Sequence, residues 1–159
     1  MELPIYQITL KDDEHGVDKI SLVTAPAIEE NWLAFNEAES NFKFANEEEQ
    51  KLIGALLVPD KKIYRNDPEL GEFYVVFSAE TIEEIALRYN KNGYATKFNT
   101  EHTTDVSDVV LTENWIVTDT NYDKSKAYGL DYPVGSWVGL AKIESEDLWN
   151  EVKANLKGF

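Results

Sequence analysis

The chain has 159 residues, 43% of them hydrophobic, with thirty acidic residues against fifteen basic ones and no cysteine. That length fits one globular domain able to bury roughly 70% of its unfolded surface, so stability needs neither disulfides nor a structural metal. A net charge of −15 repels phosphate backbones and argues against nucleic-acid binding, and the absence of cysteine removes disulfides, zinc–thiolate sites and a thiol nucleophile while fitting a reducing compartment. The acids are spread along the chain, as on a solubilising surface or in a protein that works among basic partners. No run of ~18 apolar residues is present, so no transmembrane helix is expected. The N-terminus, MELPIYQITLKDD, lacks the basic and apolar regions of a signal peptide.

In chain order, Ile5 to Leu10 mixes β-branched and aromatic residues and reads as a strand. A polar turn through His15 and Gly16 leads to a second strand over Lys19 to Val23, broken by Pro26. Residues 24–50 show no sustained period and read as a loosely structured arm, with aromatic anchors at Trp32, Phe35, Phe42 and Phe44 and an acidic run at Glu47-Glu48-Glu49. Lys51 to Val58 is a buried-strand candidate. Ile63 to Arg65 and Phe73 to Phe77 read as a hairpin with a long loop. Ser78 can cap a helix over 78–91 whose apolar stripe is Ile82, Ile85, Ala86 and Tyr89, stopped by Asn92-Gly93. A hydrophilic loop spans Asp119 to Tyr132, and Val134 to Ile143 is another strand. Ser145 caps a last helix over 145–157 with Leu148, Trp149, Val152 and Leu156 buried and Gly158 at its C-terminal cap. Several strands with two interspersed helices predict an α+β domain with a mostly antiparallel sheet, closed as a barrel and flanked by the helices.

Chemistry concentrates between Asn99 and Val117. His102 lies in a loop crowded with small polar and acidic residues, followed by two apolar runs, Val109 to Leu111 and Trp115 to Val117, with Glu113 between them. A histidine in a polar loop followed by a strand bearing a carboxylate is the base-plus-orienter half of a nucleophilic triad. The same pair also suits two solvated surface groups. Ser107 reads as a solvated loop serine, and His15 as a loop histidine. No phosphate-binding glycine motif and no HExxH is present, and two histidines without cysteine make a metal site improbable. Asp119, Asn121 and Asp123 alternate as at the opening of a calcium loop, but the glycine and terminal glutamate are missing, so they read as a polar loop. Trp115, Trp137 and Trp149 read as core.

The order of these pieces resembles the XkdF-like phage serine proteases. The resemblance is carried by Ile20 to Ile28 with Trp32 to Phe35, by Gly54 to Asp60 with Ile63 to Arg65, and by Phe73 to Ile82. It continues through His102, the block Glu113 to Val117, Gly135-Ser136-Trp137, and the helix ending Gly158-Phe159. It implies a capsid-maturation endopeptidase of the prohead protease group with the herpesvirus assemblin-like fold, a β-barrel ringed by helices, as one domain over residues 1–159. Such an enzyme acts inside the assembling prohead in the bacterial host cytoplasm, on scaffold and capsid proteins, without a cofactor or metal and with a homodimer among its assemblies. By the same resemblance His102 is the general base and Glu113 the acid that orients it.

Two positions depart from the family pattern. Asn114 stands where the family usually has Ser, and the chain stops at Phe159, directly before the position of the family's nucleophilic serine. The expectation is therefore a fold incomplete at its C-terminus, from a truncated or processed protease. An inactive relative serving as scaffold or virion protein, or an unrelated binding role on a shared fold, are the alternatives.

Overall fold

A computed structural model describes residues 2–9, 20–22, 42–46, 49–100 and 104–155. His15, His102, the arm residues Trp32 and Phe35, Glu47-Glu48, Leu156 and Gly158 lie outside the described residues. The strands are β1 (Ile5–Ile8), β2 (Ile20–Leu22), β3 (Phe42–Asn46), β4 (Lys51–Leu57), β5 (Ile63–Asp67), β6 (Gly71–Phe77), β7 (Phe98–Thr100), β8 (Thr104–Val106), β9 (Val109–Ile116) and β10 (Trp137–Ile143). The helices among the described residues are α1 (Ala79–Asn92) and α2 (Glu146–Asn155).

The body of the domain is a four-stranded sheet in the order β3-β4-β10-β9. β10 is central because nearly its whole sequence, WVGLAKI, is buried, as a strand paired on both sides and covered on both faces must be. Trp137, Ala141 and Ile143 share a face with Val109 and Leu111 of β9 and Leu52 of β4. The two helices cover this face. On the other face Ile53, Val138 and Val117 pack with Trp115 of β9 and with Tyr128, Leu130 and Tyr132 from the excursion between β9 and β10. Gly139 is required at the centre of β10, since a Cβ there would lie 2.7 Å from Leu111 Cδ1 and 3.1 Å from Leu56 Cδ1.

Both helices begin where the sequence places a serine. Ser78 Oγ accepts from the Thr81 amide at 3.2 Å, and Ser145 Oγ accepts from the Leu148 amide at 3.2 Å, each satisfying an orphan donor of the first turn. The α1 stripe Ile82, Ile85, Ala86 and Tyr89 is buried, and the Tyr89 ring meets Trp137 edge-on with centroids 5.2 Å apart. Burial holds the Tyr89 phenol up at about 12, and its hydroxyl donates to the Tyr94 carbonyl at 2.9 Å. In α2, Leu148, Trp149 and Val152 are buried as the stripe requires.

Among the described residues five strand pairs are antiparallel, and two, β1 with β6 and β2 with β7, are parallel. The α+β class and the mostly antiparallel pairing agree with the sequence reading. Closure does not follow: the described strands form three open sheets, β1-β6-β5, β3-β4-β10-β9 and β2-β7-β8, with no closed barrel among them. Strand-forming runs reveal that a segment is extended, but closure is set by which distant edges meet, and periodicity carries no signal for that.

Smaller corrections have local causes. Phe42–Asn46, read as the end of an arm, is β3, and gains its ladder from β4. The β5–β6 loop is short, Pro68 to Leu70, because the Asp67 carboxylate accepts from the amides of Glu69 (2.8 Å) and Leu70 (3.0 Å). The hydrophilic stretch after β9 holds a 3₁₀ turn at Lys124–Tyr128, started by the Asp123 carboxylate and stopped by Gly129.

Candidate functional site

β9 is continuous across both apolar runs because it carries a β-bulge. Leu140 pairs with Glu113 and Ala141 with Leu111, so Thr112 is the extra residue. A strict alternation would put Glu113 and Trp115 on the face of Val109 and Leu111, against the helices. The bulge shifts the phase by one. Asn114 and Ile116 therefore face the helices, while Glu113, Trp115 and Val117 face the excursion that follows the strand.

On the helix side, Asn114 Oδ1 accepts from the indole of Trp137 at 3.0 Å and from Asn90 Nδ2 at 2.7 Å, and Asn114 Nδ2 donates to Asn90 Oδ1 at 2.9 Å. Asn114 thus acts as the acceptor for the fully buried Trp137 and a clamp on the end of α1. On the opposite side, Asp123 accepts from the Trp115 indole at 3.0 Å and from the amide (3.0 Å) and hydroxyl (2.5 Å) of the buried Ser125. This fixes the excursion against the sheet. Lys124 then reaches back, its Nζ bonding Glu113 Oε1 at 2.6 Å and Oε2 at 2.7 Å and standing 5.9 Å from the centroid of the Trp115 ring.

Between these two flanks runs an open groove of about 690 Å³ along the outer edge of β9. Its floor is Leu111 to Ile116. One wall is Asn90 and Ala95, and the other is Asp119, Tyr122, Asp123 and Lys124. Glu113, the sequence-derived orienting acid, lies on this groove with its carboxylate about half exposed. A carboxylate has about four acceptor positions, so the Lys124 bond leaves room for a further donor such as an imidazole N–H. His102 falls outside the described residues. Ser107 is exposed at the bend between β8 and β9.

Among the described residues no group of acids and histidines is disposed to hold a metal ion. Asp119 accepts from the Asn121 amide at 2.8 Å and Asp123 is engaged as above, which accounts for their alternation without calcium. Trp137 and Trp149 are core, as read, whereas Trp115 is half-buried and lines the groove. Sequence reasoning missed Lys124 and Asn90. Neither sits in a motif, and each reaches the site only through the tertiary pairing of the excursion or of α1 with β9.

The fold and site define an α+β domain with a carboxylate-bearing groove on a sheet edge. A family model described as "Putative phage serine protease XkdF" matches residues 39–158. The chain belongs to this phage serine protease family, and with it to proteins of protease-like function. No curated protein and no solved structure matches. No helix among the described residues is long and apolar enough to cross a membrane.

Proposed function

We propose that the chain is a phage capsid-maturation serine endopeptidase, a single protease-like domain acting inside the assembling prohead on scaffold and capsid proteins, with His102 as base and Glu113 as its orienting acid. The support is the family membership of residues 39–158 together with the place of Glu113 on an open groove. In this reading His102 takes the proton of a serine hydroxyl as it attacks the peptide carbonyl and returns it to the leaving amine. Glu113 accepts the other imidazole N–H, fixing the tautomer and stabilising the imidazolium. A protease-like scaffold protein without catalysis is the second reading, favoured by the two-oxygen grip of Lys124 on Glu113.

The test is incubation of the chain extended past Phe159 with its native sequence, alone and with its capsid and scaffold proteins. New fragments that vanish in His102→Ala support the endopeptidase. An extended form that leaves every protein intact overturns it in favour of the scaffold.

A further inference from the structure

We propose that the outer edge of β9 is a docking edge for an extended, basic polypeptide segment, which pairs with Asn114 and Ile116 as an added strand. This deepens the endopeptidase reading, since such a segment would be the substrate, and rests on it for that assignment alone. The backbone directions are fixed by two hydrogen bonds. Val117 N–H donates to Ser136 O on the β10 side at 2.9 Å, and Leu111 N–H donates to Ala95 O on the outer side at 2.8 Å. Amides alternate along an antiparallel strand, so Asn114 and Ile116 turn their N–H and C=O away from β10 and into the groove. Among the described residues no strand pairs with that edge.

An open edge invites pairing and is ordinarily blunted by charge, proline or a covering element. Here it is instead the floor of a groove walled on both sides, the arrangement in which peptides are bound by strand addition. Tyr122 stands at one wall 87% exposed, an aromatic ring that an occupant of the groove would cover. The charge of the occupant follows from the lining. Among the described lining residues Glu113, Asp119 and Asp123 stand against one cation, Lys124, which Glu113 already engages, and the whole chain carries −15. A segment presenting lysine or arginine side chains complements that wall, whereas an acidic one is repelled.

The experiment uses the full chain with His102→Ala, so that cleavage cannot interfere, and a labelled peptide of about six residues alternating lysine and valine. Its glutamate–valine counterpart is the control. Binding of the lysine peptide should slow amide exchange at Asn114 and Ile116 by about tenfold or more and leave Trp115 and Val117, already in the ladder, unchanged. Ile116→Pro removes an outward donor without touching the β10 ladder and should weaken binding about tenfold. If that variant misfolds, the exchange pattern of the parent decides. No binding, equal binding of the glutamate peptide, or binding without protection at Asn114 and Ile116 overturns the proposal. Protection of both amides without peptide, rising with protein concentration, assigns the edge to a second copy and also overturns it. Exchange protection with no proteolysis by any form would retain the docking edge and remove the endopeptidase, and the reverse pattern would do the opposite.

Discussion

Lys124 holds both carboxylate oxygens of Glu113, at 2.6 and 2.7 Å, across the mouth of the groove. Both side chains are almost half exposed, so solvent screens the pair and its contribution to stability is at most about 1 kcal/mol. Lys124→Met and Glu113→Gln should each shift the urea midpoint only slightly. In the extended form, Glu113→Gln should lower kcat by about a hundredfold or more while stability barely changes, because the tautomer and charge of the base are disturbed. A kcat unchanged by Glu113→Gln would remove Glu113 from the proposed machinery.

Asn114 behaves differently from its neighbour. Asn114→Ala leaves the indole N–H of Trp137, which is fully buried, without an acceptor. The expected loss is about 2 kcal/mol, the desolvation penalty of an orphaned buried donor. Asn90→Ala retains that acceptor and should cost less. Urea unfolding of both variants gives the comparison, and equal losses would show that the indole bond is not what Asn114 supports.

Ser136 offers the opposite case. Its hydroxyl is fully buried and has no hydrogen-bond partner among the described residues. Ser136→Ala removes an uncompensated polar group with little change in volume and should stabilise by about 1 kcal/mol, read as a higher melting temperature. Destabilisation would mean the hydroxyl has a partner after all.

Alkaline stability should decline in a defined window. Burial raises both Tyr89 and Tyr132 from 10.0 to about 12. Between those values the unfolded phenols ionise while the folded ones stay protonated. The unfolded state then binds fewer protons and stability falls as pH rises. Below pH 10 the contribution is fully present. Unfolding free energy followed across the window should drop, with tyrosinate absorbance appearing on unfolding, and Tyr132→Phe should flatten part of the slope.

Much of this was legible in the residues, where local chemistry decides local structure. Ser78, Ser145 and Gly93 cap or stop helices at the ends the stripes predicted, because capping is a short-range contest between side chain and backbone. β4, β6 and β10 announced themselves as apolar runs. What could not be read were facts about pairing. Phe42–Asn46 becomes a strand only because β4 offers a partner. Lys124 joins Glu113 only because Asp123 and Ser125 fold the excursion back. Glu113 was picked out by its place between two apolar runs, and the groove it lies on depends on a bulge that no residue in VVLTENWI advertises.

That bulge also fixes where β9 can change length. Removing Thr112 would leave a regular ladder with every other side chain on its present face. Removing Asn114 instead would draw Glu113 onto the helix-facing side, placing a carboxylate beside Trp137 and Asn90 in place of the amide that bonds them. Among related chains, a β9 one residue shorter through the bulge is therefore compatible with a groove that keeps its carboxylate when the missing residue is the one at position 112.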